Sequence, residues 1–169
     1  NADGCLLTVD VNLYYTTGRI YSGYFYLPAE GAPWFFVKRP NGLAGDHVEY
    51  IRKPEQMAEL FAFYGLEMPE KLLLEADELT YNDYIRLQKI FNPKETGNAT
   101  AMMRELRRIK TPYEIEMFRI SAERHAKTYA EIPECFRPGM TDLEFQYEIE
   151  KRMRKNGSIG LFRAFGANM

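Results

Sequence analysis

The stretch from Arg104 to Gly157 constrains the fold most, because two helix-start signatures precede two apolar stripes. Thr111-Pro112-Tyr113-Glu114 and Thr141-Asp142-Leu143-Glu144 each place a hydroxyl three residues before a carboxylate. In such a pair the Thr oxygen accepts from the third amide, and the Glu carboxylate accepts from the Thr amide. Pro112 falls at the first helical position, where its missing N–H costs nothing. The spacing predicts a helix over 112–135 carrying Ile115, Phe118, Ala122, Tyr129 and Ile132 on one stripe. It predicts a second helix over 141–156, with Phe145, Ile149 and Met153 stacked and Glu148–Arg152 and Glu150–Arg154 spaced as outer ion pairs. A cap contributes about 1 kcal/mol, whereas a large buried side chain contributes about 1.5–3 kcal/mol. The stripes therefore hold the helices down and the caps decide where they begin. Arg137-Pro138-Gly139 separates the two, and Gly157 ends the second. By themselves two capped amphipathic helices make an ordinary helical hairpin.

The first half reads differently. Cys5-Leu6-Leu7-Thr8-Val9 is a short β-rich run. Tyr24-Phe25-Tyr26-Leu27 and Trp34-Phe35-Phe36-Val37, joined by a Gly-containing loop, predict an antiparallel hairpin. Neither run alternates with polar residues, so both faces should be buried under helices. Asn41-Gly42 marks a turn, and Val48-Glu49-Tyr50-Ile51 a further strand. A helix from Pro54 to Tyr64 presents Met57, Leu60, Phe61 and Tyr64 and stops at Gly65. Leu72-Leu73-Leu74 reads as a buried strand, and Thr80 to Phe91 as a helix opened by Thr-x-x-Asp. The expected class is α/β, a mixed β-sheet flanked by helices, followed by a helical region after residue 98.

Charge supports a boundary near residue 105. Residues 1–100 hold 9 basic and 14 acidic residues, while 101–169 hold 13 basic and 10 acidic. The overall net charge of −2 argues against a nucleic-acid surface, and the 12 Tyr, 11 Phe and 1 Trp read as core and interface. Arg104, Arg107, Arg108 and Lys110 read as a solvated helix face rather than a phosphate site. Cys5 and Cys135 follow no metal or disulfide-framework spacing, so a reducing, cytoplasmic setting is expected. No apolar run approaches the ~18 residues of a membrane helix.

Three segments carry a family resemblance. Leu106-Arg107-Arg108-Ile109-Lys110-Thr111-Pro112-Tyr113-Glu114-Ile115 resembles the domain junction of the prolidase, aminopeptidase P and creatinase family. Pro138-Gly139-Met140-Thr141-Asp142 resembles that family's Pro-Gly-x-Thr-Glu turn, with Asp for Glu. Asn12-Leu13-Tyr14-Tyr15-Thr16-Thr17-Gly18 is similar to its Asn-x-x-Tyr-x-Thr-Gly element.

The resemblance implies residues 1–105 as a creatinase-like N-terminal domain. Residues 106–169 would be a linker helix plus the first two helices and first strand of an incomplete pita-bread catalytic domain. The parent is then expected to be an Xaa-Pro metallopeptidase that cleaves peptide substrates with proline at the second position. It would use two divalent metal ions (manganese, cobalt or zinc), whose ligands are two Asp, one His and two Glu. Ser158 to Met169 contain no Asp, Glu or His, so this chain alone is expected to be catalytically silent. No catalytic or metal residue is assigned to it: His125 reads as a helix residue near the apolar stripe, and His47 beside Asp46 falls short of a closed metal site. Lys38, Arg39 and His47, read as a hairpin connection, are the candidates for bounding the substrate entrance in the intact dimer. The uncovered stripes predict a homo-oligomer. The alternatives are a protein-binding pita-bread relative without metal ligands, and a creatinase-type amidinohydrolase.

Overall fold

A computed structural model describes residues 2–159. The chain separates into two compact units, residues 1–109 and 110–169.

The first unit contains β1 (Gly4–Leu7), α1 (Asp10–Thr17), β2 (Ser22–Pro28), β3 (Trp34–Arg39), β4 (Val48–Tyr50), α2 (Gln56–Tyr64), β5 (Lys71–Leu74), α3 (Tyr81–Phe91), β6 (Glu95–Asn98) and α4 (Thr100–Leu106). Its six strands form one mixed sheet in the order β4-β3-β2-β1-β5-β6. β2 pairs antiparallel with β3, placing Phe25 opposite Phe35, and with β1, placing Leu6 opposite Tyr26. β1–β5, β5–β6 and β3–β4 are parallel.

Both faces of the sheet are covered, which is why the two aromatic runs lack polar alternation. On one face Leu6, Tyr24, Tyr26, Trp34, Phe36, Leu72 and Leu74 pack with Met57 and Phe61 of α2 and Leu87 and Phe91 of α3. On the other, Leu7, Phe25 and Val37 pack with Leu13 of α1 and Met103 of α4. The aromatic layer is tight: Phe61 meets Tyr26 and Phe91 edge-on at 5.0 and 5.4 Å between centroids.

Three features of the first unit depart from the sequence-based expectation. Residues 10–17 form α1, which the pattern does not reveal because only Asn12 and Leu13 of it are buried. β6 is Glu-Thr-Gly-Asn, apolar nowhere, and is recruited as an edge strand by its ladder to β5. The segment between β3 and β4 is not a hairpin connection. Residues 40–47 return beside β3 so that β4 runs parallel to it, and Tyr50 and Arg19 hold them through the Leu43 and Ala44 carbonyls at 2.9 and 3.2 Å.

The second unit contains α5 (Pro112–Cys135) and α6 (Asp142–Lys155). Both capping boxes form: Glu114 N donates to Thr111 and Glu144 N donates to Thr141, each at 3.2 Å. The carboxylates of Glu114 and Glu144 accept from the Thr111 and Thr141 amides, each at 2.8 Å. These bonds hold both carboxyls below their ordinary range. Ile149 and Met153 of α6 pack on Cys135 of α5, with Ile132 and Phe145 beside them. Arg152 does not form the expected pair with Glu148. It crosses to Glu131 and Glu134 of α5, each at 3.3 Å, while Glu148 faces Arg137 and Lys151 at 3.8 Å. The inter-helix partners win because Asn156 also donates to Glu131 and to Thr128, completing a polar seam beside the small apolar core. Ile115, Phe118 and Tyr129 of the predicted α5 stripe remain exposed; Phe118 is 60% and Tyr129 69% accessible. The catalytic-domain strand expected after Gly157 lies outside the described residues.

Candidate functional site

The most constrained polar site lies at the carboxyl ends of β1 and β5. These neighbours are parallel, yet the helices that follow them cover opposite faces: α1 packs on one cluster and α3 on the other. Such a divergence opens a crevice at the sheet edge, where open α/β sheets commonly bind ligands. Here a side chain fills it. Glu75, directly after β5, is 0% exposed. Its Oε2 accepts from Thr8 N, from Val9 N at 2.8 Å and from the Thr8 hydroxyl at 3.1 Å. Its Oε1 accepts from the Asn12 amide.

The reason is local. The position before α1 is Val9, which has no capping oxygen, and helix N-termini leave donors that need one. Glu75 supplies an internal anion against the positive end of the helix. The segment Asn12 to Gly18 is consequently a structural device. Asn12 locks onto Glu75. Thr16 and Thr17 bond back to the Asn12 and Leu13 carbonyls at 2.7 and 2.6 Å. Gly18 closes the helix at φ 66°, and Tyr15 reaches the Leu106 carbonyl at 3.0 Å.

Beside this network a cavity of about 250 Å³ opens among Thr8, Asp10, Tyr24, Lys38, Asp83 and Arg86. Arg86 grips the Glu55 carboxylate with two bonds of 2.6 and 2.7 Å, which pushes the Glu55 carboxyl down to about 2. Lys38 donates to the Tyr24 hydroxyl at 3.1 Å and lies over its ring at 4.6 Å. At the other end of the sheet a wider cleft of about 880 Å³ is bordered by Asp3, Tyr26, Trp34, His47, Glu67 and Glu70. There burial, and secondarily Asp3, pushes the Tyr26 hydroxyl up to about 12. A third depression, about 520 Å³ and mostly apolar, is formed by Val11, Tyr14, Ile20, Tyr21, Arg39 and Pro40.

Lys38, Arg39 and His47 therefore occupy three separate depressions. Lys38 and Arg39 are consecutive on β3, and alternation sends their side chains to opposite faces. His47 sits at φ 57° with its ring 4.6 Å from Trp34, at the start of β3 rather than its end. His125 is exposed on α5. Among the described residues, no group of three or more His, Cys, Asp or Glu could hold a metal ion, and no helix is long and apolar enough to cross a membrane. Sequence reasoning missed the Glu75–Asn12 network; the buried position of Glu75 follows only from the pairing of β1 with β5.

Comparison with known proteins places this geometry. The profile of the Creatinase/Prolidase N-terminal domain matches residues 1–109. An uncharacterized peptidase of Staphylococcus haemolyticus is 25% identical over 171 residues, covering 92% of this chain and 46% of that protein. The chain thus spans about half the length of the curated relatives it matches. An Xaa-Pro dipeptidase from Bacillus anthracis superposes with a TM-score of 0.75 at 24% identity, over 92% of this chain and 45% of that one. A prolidase from Pyrococcus furiosus gives 0.72 at 23% identity, over 92% and 49%. The Creatinase/Prolidase N-terminal domain of a Streptococcus pyogenes X-Pro dipeptidase gives 0.52 at 19% identity, over 62% and 87%.

Proposed function

The chain belongs to the Creatinase/Prolidase N-terminal domain family, and on that premise we propose that it is the N-terminal portion of an Xaa-Pro metallopeptidase. The observation that carries this reading is the match over residues 1–109, the same residues that form the first compact unit. In this proposal residues 106–169 lead into a pita-bread catalytic domain, and the two divalent metals belong to the rest of the parent enzyme. The parent cleaves the bond before a proline at the second position. A metal-bound hydroxide supplies the nucleophile in such sites.

The role of the first unit is assembly and substrate selection. The cleft at Trp34 and His47 and the Lys38–Arg39 end of β3, where Lys38 is half-buried and Arg39 exposed, are offered as surfaces that border the substrate entrance of a dimer. The exposed Ile115, Phe118 and Tyr129 stripe supports association with a second copy. What supports a cytoplasmic setting is that Cys5 and Cys135 are both free. Deleting residues 1–109 from the parent tests the reading. Loss of the dimer and of discrimination between dipeptides and longer Xaa-Pro peptides is expected. An unchanged mass and unchanged relative kcat/KM across peptide lengths would contradict it.

A further inference from the structure

We propose that the cavity of about 250 Å³ beside the first turn of α1 is a binding site for a small zwitterion, a free α-amino acid or a dipeptide. The inference stands on charged residues of both signs that line one cavity without pairing with each other, and does not depend on the peptidase reading.

The position is favourable. The cavity opens where β1 ends and β2 begins, beside the crevice between helices that diverge to opposite faces. Its floor is preformed, because Tyr24 and Leu87 are buried in the core beneath it. Its volume lies just below the range of about 300–1,000 Å³ usual for drug-sized ligands, so it suits one or two residues and no more.

The charges select the ligand. The Lys38 ammonium can donate three bonds, yet its one hydrogen bond among the described residues goes to the Tyr24 hydroxyl, and no carboxylate there lies within ion-pair distance. Asp10, exposed at the start of α1, lines the same cavity and has neither a hydrogen bond nor an ion pair from its carboxylate among the described residues. The two therefore line one cavity and form no ion pair with each other. The other two charged groups differ. Arg86 is held by Glu55, whereas Asp83, which accepts from the Thr80 hydroxyl at 2.6 Å, has no ion pair among the described residues and adds a second carboxylate to the lining. An inorganic anion has no claim on the helix end, since Glu75 already takes the Thr8 and Val9 amides. A ligand that pairs these groups carries a carboxylate for Lys38 and an ammonium for Asp10 and Asp83. An α-amino acid presents these groups a few ångströms apart, with its side chain left for the Tyr24 and Leu87 floor.

The test is an NMR titration of the purified chain with L-proline and glycyl-L-proline. N-acetyl-L-proline, L-proline methyl ester and inorganic phosphate serve as controls. Saturable shifts of the Ser22, Gly23 and Tyr24 amides are expected with the free zwitterions. Blocking either terminus should weaken binding by about tenfold or more, the worth of one charged hydrogen bond. Lys38→Met and Asp10→Asn should each do the same, with thermal melting confirming that both variants fold. The blocked ligands report on the same two contacts without any substitution. Absence of saturable shifts, equal binding of the blocked forms or of phosphate, or shifts centred on Trp34 and His47 instead would each overturn the proposal.

Discussion

Asn12 donates its side-chain amide to the buried carboxylate of Glu75 across 63 residues of sequence, and this bond joins α1 to the end of β5. Glu75 accepts from two backbone amides as well. Replacing it with Ala leaves those part-buried donors, and the buried Asn12 amide, without a partner, at about 1–3 kcal/mol for each group. Glu75→Ala should therefore lower the unfolding free energy by about 3 kcal/mol or more in urea titrations, and Asn12→Asp should cost more than Asn12→Ala because it sets a second carboxylate against the first. Equal costs for the two Asn12 variants would show that the Glu75 charge is not what Asn12 answers.

This network also marks what could be read from the chain. The hairpin of β2 and β3, the Thr80 cap of α3 and both capping boxes were legible because each is set by residues within a few positions of one another. α1 was not, since the group that satisfies its amino end comes from the end of the neighbouring strand β5, 63 residues away in sequence from Asn12. β6 has no apolar residue to announce it, and its presence depends on an already formed β5. Arg152 has a carboxylate at the right helical spacing and still turns to Glu131, because a second helix offers two acidic partners at once. At the candidate entrance, Lys38 and Arg39 are adjacent in sequence and separated by the sheet itself.

Gly23 is required by close approach. A Cβ there would lie 2.1 Å from the Phe36 carbonyl oxygen, a backbone atom in the neighbouring strand. The position also borders a β-bulge, between Ser22 and Gly23. Gly23→Ala should destabilise the chain by about 1–3 kcal/mol, since the strand must shift to admit it. Thermal melting should show this as a lowered Tm relative to the unsubstituted chain.

The Glu55–Arg86 pair has a defined pH window. The Arg86 hydrogen bonds hold the Glu55 carboxyl at about 2 rather than its ordinary 4.5. A carboxyl lowered in the folded state contributes stability that is present above about 4.5 and lost as pH falls through about 2. The difference in Tm between the parent chain and Arg86→Gln should accordingly shrink as pH is lowered across that window. A difference that stays constant would place the effect of Arg86 outside the ion pair.

Cys5 should be a poor nucleophile. Burial, with a smaller contribution from the Glu75 charge, pushes its thiol up to about 12 from 9.0. A raised thiol favours the protonated form, so the associated stability is complete below pH 9.0 and declines as pH rises towards 12. Labelling by Ellman's reagent at mildly alkaline pH should be slow for the native chain and fast after denaturation. Rapid native labelling of Cys5, identified by mass spectrometry, would contradict the buried environment.

The central claim is that this chain is the amino-terminal part of an Xaa-Pro peptidase and depends on the rest of that protein for chemistry. Hydrolysis of an Xaa-Pro dipeptide in the presence of manganese, measured side by side for this purified chain and for its full-length parent, tests it most directly. Turnover by the parent and none by the chain is the predicted result. Turnover by the chain alone, or none by a folded and metal-loaded parent, would contradict it.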